Sequence, residues 1–416
     1  MFASVIAGFL ADTLGRKNSL VVVNITAMTS SVLMSVESFV LGIEFTFLAH
    51  LITGLSLGFI LSIVPLYMGE IAPRNHRGAL IFLHQFFLNI GILMAQILSV
   101  KELLEHSEGW SILMGMVGLL TLVQLFLLPF IPESPRYLMI YKRNEPQARK
   151  VLKMLRETDD VDNEIEEMSQ EDLAEGNNKD MTPLKLIRTP SMRWHIITIV
   201  VIMAGSQLNG ISVAYFYTER IFLIMPMKRS DVKYLTTATI VILCSSVLLV
   251  MYLVDNVGRR ILLLTSFTCC SISSILLIVS LELQKTVSNL SYFSSTMIIL
   301  FVCAHDFGPA ALPHLLTLEL FSQSSRASAF VISGSVFWSA NFITGLTFFY
   351  LEKDLGYYCF VVFWPFCIGT IVYIYKMVPE TKTQTFSEIK KVMLMKTTKR
   401  FRSRESRRKL KLKRHV

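Results

Sequence analysis

Ten apolar stretches, at residues 18–40, 44–69, 79–99, 110–131, 194–217, 233–254, 261–283, 294–320, 328–350 and 357–378, run through this 416-residue chain. Each is long enough to cross a bilayer as a helix. Inside lipid no water satisfies backbone N–H and C=O groups, so such segments must be helices that close their own hydrogen bonds. The fold class is therefore all-α and integral to a membrane. Composition agrees: 52% of the residues are hydrophobic and only 17% charged, and the charges gather in a few places between the apolar stretches. Met1 is followed by apolar residues with neither a basic leader nor an Ala-x-Ala site, so no cleaved signal segment is expected.

Three charged motifs each occur twice. Asp12-Thr13-Leu14-Gly15-Arg16-Lys17 returns as Asp255-Asn256-Val257-Gly258-Arg259-Arg260, Glu70 with Arg77 returns as Glu319 with Arg326, and Pro132-Glu133-Ser134-Pro135-Arg136 returns as Pro379-Glu380-Thr381-Lys382. From Asp12 to Asp255 is 243 residues, from Glu70 to Glu319 is 249 and from Glu133 to Glu380 is 247, so a membrane unit has been duplicated. Two such bundles in parallel repeat are the layout of a secondary transporter. The second unit opens with the stretch 194–217, whose counterpart would fall before Met1. The first unit is thus expected to lack its opening helix and part of the second, as a fragment, a displaced start or a short isoform would. The expected division is an incomplete N-terminal transmembrane bundle at 1–131, a cytoplasmic helical linker at 132–193, a C-terminal transmembrane bundle at 194–378 and a basic cytoplasmic tail at 379–416.

Lys and Arg cluster in the Gly15 and Gly258 turns, around Arg74 and Arg77, in the polar stretch from Arg136 to Arg193, and in the tail, which assigns those regions to the cytoplasm. The net charge of +9 owes much to Lys396–Arg414. Beside the last span that tail reads as an anchor that meets anionic lipid, not as a nucleic-acid site. In the polar stretch, Glu145 to Glu157 places Ala148, Val151, Leu152 and Leu155 on one helical face. Cys244, Cys269, Cys270, Cys303, Cys359 and Cys367 all fall in apolar stretches without Cys-x-x-Cys spacing, so packing is expected in place of metal binding or disulfides. Neither Asn24-Ile25-Thr26, within a span, nor Asn289-Leu290-Ser291, close to the membrane, reads as a glycan site.

The doubled acids and bases suggest an inner gate in which Arg16, Arg77, Arg259 and Arg326 meet Glu70, Glu133, Asp255, Glu319 and Glu380, with Arg136 beside them. Desolvated pairs are worth little net and are costly to half-break, so two packings of such a layer lie close in energy. Polar residues within spans are expensive and hence informative. Gln85, Asn89 and Gln96 share one span; Gln207, Asn209 and Ser212 share another that Gly205 and Gly210 interrupt; His305, Asp306 and His314 surround the Gly308-Pro309 and Pro313 break; Trp338 and Asn341 follow. Neutral amides and hydroxyls with an aromatic suit a polyhydroxylated neutral solute, because they donate and accept hydrogen bonds without trapping it by charge. Singly, each Asn, Gln or His is explained as well by an interhelical hydrogen bond; it is their clustering on broken helices that indicates a site. No catalytic motif is present, no cofactor is called for, and nothing speaks to oligomeric state.

These residues resemble the sugar porter family of the major facilitator superfamily, and within it the animal facilitative hexose transporters. The resemblance is carried by Pro65-Leu66-Tyr67-Met68-Gly69-Glu70-Ile71-Ala72-Pro73-Arg74-Asn75-His76-Arg77-Gly78, by Pro132-Glu133-Ser134-Pro135-Arg136-Tyr137-Leu138 and by Val378-Pro379-Glu380-Thr381-Lys382. It implies two pseudo-symmetric six-helix bundles, here with the first helix missing, a plasma-membrane protein, and a hexose moved by facilitated diffusion. The branch that includes the fructose transporter is the most similar, through Leu315-Leu316, Gln323-Ser324-Ser325-Arg326 and His305 ahead of Gly308-Pro309. The resemblance further implies sugar contacts at Gln85, Gln207 and Asn341 with Trp338 beside them. It also marks departures: Ser206 stands for a sugar-binding Gln, Ser212 for an Asn, Leu243 near another Asn and His50 for an Arg. Two other readings stay open, a transport-inactive isoform or sensor, and a carrier of another metabolite such as urate.

Overall fold

The computed structural model describes residues 1–36, 43–98, 109–175, 181–223, 229–287, 289–382, 384, 388–389, 391–393 and 395. The basic tail from Lys396 onward lies outside the described residues, as do the last residues of the stretch 18–40 and the end of 79–99. The first unit contains α1 (Phe2–Thr13), α2 (Arg16–Val36), α3 (Ile43–Ile71), α4 (Arg77–Leu98) and α5 (Gly109–Leu127). Four short helices follow: α6 (Pro135–Ile140), α7 (Glu145–Arg156), α8 (Asp162–Glu175) and α9 (Pro183–Arg188). The second unit contains α10 (Arg193–Leu208), α11 (Ile211–Leu223), α12 (Arg229–Val257), α13 (Arg259–Leu283), α14 (Leu290–Phe307), α15 (Leu312–Leu320), α16 (Gln323–Leu355) and α17 (Cys359–Met377).

Among the described residues, nine continuous helical stretches are long and apolar enough to cross a membrane, and the last, Gln323–Met377, is α16 and α17 joined by a turn at Gly356–Tyr358. Their bounds lie close to those expected from the apolar pattern. Much of their apolar surface faces outward, with Phe87, Leu120, Phe126, Tyr252 and Phe349 all well exposed, as a lipid-facing bundle requires.

The two units touch most extensively where α1 meets α16 and α4 meets α12, and α3 and α4 also pack against α15 and α3 against α16. The first depends on small residues. Ala3, Ala7 and Ala11, spaced by four on one face of α1, are buried, and a Cβ on Gly8 would lie 2.2 Å from Val331 Cγ2 of α16. Without a hydrophobic drive between helices in lipid, such close backbone approach supplies the packing energy. In the polar stretch, Asn144 caps α7 by accepting a hydrogen bond from the Gln147 N–H at 3.1 Å, and Ala148 and Leu152 face inward, Leu152 against Val161, Ile165 and Met168. All six cysteines are free.

Gly15 and Gly258, the glycines of the doubled turn, have φ of +89° and +100°, a region that favours residues without a Cβ. The turn is also crowded in both copies: a Cβ would lie 2.5 Å from Glu133 Oε2 at Gly15 and 2.8 Å from Glu380 Oε2 at Gly258. Gly258→Ala is expected to cost about 1–3 kcal/mol through strain at a left-handed position, lowering the melting temperature of the purified protein. Gly345→Ala, with nothing within 4 Å of the added carbon, is the control and is expected to change stability by less than about 0.5 kcal/mol.

Candidate functional site

At one end of the bundle the doubled motifs build the same device twice. Arg16 starts α2, and its Nε and Nη2 donate to Glu70 Oε2 and Oε1 at 2.9 and 3.0 Å, a two-pronged pair in which both side chains have 0% exposure. Its Nη1 donates to the Ala11 carbonyl at 2.9 Å, and its guanidinium lies over the Tyr137 ring at 4.7 Å. Glu133 accepts from the backbone N–H groups of Arg16 and Lys17 at 3.0 and 3.2 Å, which places a carboxylate at the positive end of α2. In the second unit Arg259 Nε donates to Glu319 Oε1 at 3.1 Å, Nη1 donates to the Val254 carbonyl at 3.1 Å, and Nη2 lies 3.1 Å from Asp255 Oδ1. Glu380 accepts from the N–H groups of Arg259 and Arg260 at 2.9 and 3.0 Å. Thr381 Oγ1 donates to the other oxygen of Glu319.

These pairs lie within each unit, and other contacts join the units. Gln323 Nε2 of α16 donates to Glu70 Oε1 at 2.7 Å, and the Ala79 N–H of α4 donates to Asp255 Oδ2 at 3.1 Å. Gly78 permits the second contact, since a Cβ there would lie 2.5 Å from Asp255 Oδ1. Glu171 of α8 is the hub between them. It pairs with Arg136, accepts from the Gln323 N–H at 3.0 Å, and lies 3.5 Å from Arg326 Nη2. Burial opposes ionisation of Glu171, but the neighbouring guanidiniums and the amide outweigh it and hold its carboxyl at about 2. A depressed carboxylate contributes stability above its ordinary value of 4.5 and loses it as pH falls towards about 2, so this clasp is constant across the physiological range.

Two expected pairings take another form. Arg326 meets Glu171 and Gln323, and its Nε is turned back onto the carbonyls of Leu318 and Phe321 at 3.2 and 3.1 Å. Arg77 makes no ion pair among the described residues, and its Nε is buried without a partner. Neither Glu171 nor Gln323 was picked out for this layer from sequence; the one lies in an acid-rich helix where Ile165 and Met168 are the visible signal of a buried face.

Deeper in the bundle a cavity of about 200 Å³ opens between the units. At roughly 30 Å³ per water it has the room of six or seven waters. Gln85, Gln207, Ser212, His305, His314 and Asn341 all line it; Ser206 and Trp338 do not. Ser206 Oγ is spent on the Met203 carbonyl at 2.8 Å, and Trp338 stands against Phe337, which takes the lining position, at 5.4 Å between ring centroids. Leu243 is buried elsewhere and His50 is exposed, its ring bonded to the Thr46 carbonyl. Sequence reading did not single out Ile81, His84 and Leu88, although they share a face with Gln85 at helical spacing.

The cavity sits where two helices break. α10 ends at Asn209, whose Oδ1 accepts the Ile211 N–H at 3.0 Å, and Gly210, with φ of +91°, interrupts the helix before α11. α14 ends at Gly308, where a Cβ would collide with Ser266 at 2.7 Å, and Ala310 and Ala311 then line the cavity before α15 begins. Irregular backbone at membrane depth is tolerated where it faces such a space. Polar groups are already paired around it: Asn341 Nδ2 donates to Gln207 Oε1 at 3.0 Å, Gln85 Nε2 to Asn89 Oδ1 at 3.2 Å, and Asn89 Nδ2 to Asp306 Oδ2 at 2.7 Å.

The family model described as "Sugar (and other) transporter" matches residues 1–393. The chain is 42% identical over 393 residues to "Solute carrier family 2, facilitated glucose transporter member 5" of Rattus norvegicus, covering 94% of this chain and 78% of the relative. It is 41% identical over 389 residues to the Homo sapiens protein of the same name, with the same coverage, and 38% identical over 390 residues to member 7 of Mus musculus, covering 94% of this chain and 76% of that one. Among solved structures, the major facilitator superfamily proton:xylose symporter bound to 6-bromo-6-deoxy-D-glucose has a TM-score of 0.80 at 19% identity, with 94% of this chain and 86% of that one covered. The inward-open conformation of the xylose transporter from E. coli gives 0.69 at 20% identity over the same shares. The fold is thus that of the major facilitator superfamily.

Arg16→Ala strands Glu70 in a dry site and is expected to destabilise the protein by about 3–5 kcal/mol, with Arg259→Ala doing the same through Glu319. Thermal melts of the purified variants check this. Lys17→Ala, which loses only an exposed contact to the Pro129 carbonyl, is expected to change stability by less than about 0.5 kcal/mol.

Proposed function

Because this chain belongs to the sugar (and other) transporter family, whose members are multi-pass membrane carriers and not enzymes, we propose that it moves a hexose, fructose ahead of glucose, by alternating access. The observation that carries this reading is the cavity: amides, a hydroxyl and imidazoles from both units meet at the two helix breaks. Gln207 and Asn341, bonded to each other at 3.0 Å, form one polar wall, and Gln85 faces them from the first unit. A sugar hydroxyl takes the place of such an internal partner without leaving a buried amide unpaired, and each mismatch costs about 1–3 kcal/mol. Trp338 and Ser206 act from behind the lining, the first by fixing Phe337.

In this reading residues 1–131 and 194–378 rock against each other, 132–193 is a cytoplasmic brace and 379–416 a cytoplasmic tail that meets anionic lipid at the plasma membrane. The doubled arginine–glutamate layer is the inner gate. Gln323–Glu70, Asp255–Ala79 and the Glu171 hub are the contacts that part when it opens, while Arg16–Glu70 and Arg259–Glu319 stay closed as rigid parts of each unit.

Counterflow of labelled fructose, glucose and urate into proteoliposomes tests the reading. Fructose is expected to exchange, and Gln207→Ala to weaken its apparent affinity about 5- to 150-fold, the equivalent of 1–3 kcal/mol. Absence of hexose counterflow by correctly inserted protein would refute it.

A further inference from the structure

Five titratable side chains line the cavity: Asp306 of α14, His305 beside it, His314 of α15, His84 of α4 and Tyr215 of α11. Asp306 is 1% exposed, and one of its oxygens, Oδ2, accepts from Asn89 Nδ2 at 2.7 Å. Its other oxygen, Oδ1, is buried with no hydrogen-bond donor among the described residues. His305 Nε2 donates to the Ser206 carbonyl at 3.1 Å, which makes Nδ1 the lone-pair nitrogen of the neutral ring. That Nδ1 is also buried without a partner and lies 3.8 Å from Asp306 Oδ1. His314 Nε2 is a third unpartnered buried atom on the same wall.

The charges around Asp306 do not compensate it. Besides His305, titratable side chains that sense its charge include Tyr215 of α11, Cys244 of α12, Cys270 of α13 and Cys303 of α14. None of these carries positive charge. Among the described residues no lysine or arginine pairs with Asp306; His305 is its sole ion-pair partner, and only when protonated. An ionised carboxylate at membrane depth without a cation costs several kcal/mol once the cavity closes over it. As interhelical glue to Asn89 alone, the acid would need one oxygen, and the orphaned pair of Oδ1 and His305 Nδ1 would be left unexplained.

We propose that Asp306, with the free Nδ1 of His305 beside it, is a proton site of the transport cavity, and that a proton crosses with the solute. The site accepts a proton from the solution on one side, forming the O–H bond at Oδ1, and releases it to the other side; nothing is oxidised or reduced. Protonation removes the uncompensated charge, so closing the cavity over solute and proton together is easier than over solute alone. The site also reports to both units. Asn89 belongs to the first unit and Asp306 to the second, and their hydrogen bond is stronger when the carboxylate is charged. His84 of the first unit and His314 of the second line the same cavity.

This proposal rests on the sugar-carrier reading and adds an ion to it, so its test separates the two. The full chain is reconstituted in proteoliposomes that hold a pH-sensitive dye, and labelled fructose counterflow at equal pH is measured beside dye acidification when fructose is added outside. The expected result is counterflow with acidification, with the proton-to-sugar ratio falling to background in Asp306→Asn and recovering in part in Asp306→Glu. Counterflow without acidification overturns the proposal and leaves the sugar reading intact. If no hexose exchanges at all, infrared difference spectra across a pH titration decide. The C=O stretch of a protonated acid that is lost in Asp306→Asn supports the proton site, and its absence from the wild type overturns it.

Discussion

The structure depends on a buried arginine that must be matched, and the chain builds the match twice. Arg16 and Arg259 are both brought inside the bundle by a left-handed glycine turn, and each would be untenable without the glutamate it meets. Around each pair the same three supports recur: a glutamate caps the following helix, a carbonyl of the preceding helix accepts the remaining guanidinium hydrogen, and an aspartate lies one turn back. That repetition makes each unit rigid at its charged end. What joins the units there is different in kind: a side-chain amide, a helix N-terminus and the Glu171 hub. Strong pairs within units and fewer, separable contacts between them are what relative motion requires.

The cavity follows from a second constraint. A polar wall at membrane depth needs backbone that no longer satisfies itself, and Gly210 and the Gly308-Pro309 break supply it at facing positions of the second unit. α4 of the first unit completes the wall with His84, Gln85 and Asn89. Among the described residues no lysine or arginine pairs with Asp306, so the site holds an acid beside His305 as well as neutral hydrogen-bonding groups.

Much of this was legible in the sequence, for reasons that can be named. The apolar stretches gave the spans because lipid permits little else, and α2 to α5 and α10 to α17 fall where those stretches do. The doubled motifs disclosed Arg16 with Glu70 and Arg259 with Glu319, since charges at helix ends in duplicate have few other uses. Gln85, Gln207 and Asn341 were visible because amides within spans are costly. The sequence did not disclose which charges pair across the units. Arg326 turning to backbone carbonyls, Arg77 making no ion pair among the described residues and Glu171 reaching in from α8 are tertiary outcomes, since a local pattern shows a buried face but not its partner. Trp338 yielding the cavity wall to its neighbour Phe337 is likewise a matter of helix rotation, which spacing alone does not set.

The central claim is that two rigid units separate at the charged end while their internal arginine pairs persist. Spin labels on His76 of the first unit and Asn256 of the second, both exposed at that end, measure this directly by pulsed electron resonance. The account predicts two distance populations whose balance moves to the longer one in Asp255→Asn and responds to added fructose, while a label pair within one unit keeps a single distance. One inter-unit distance, unchanged by the substitution and by the sugar, would contradict it.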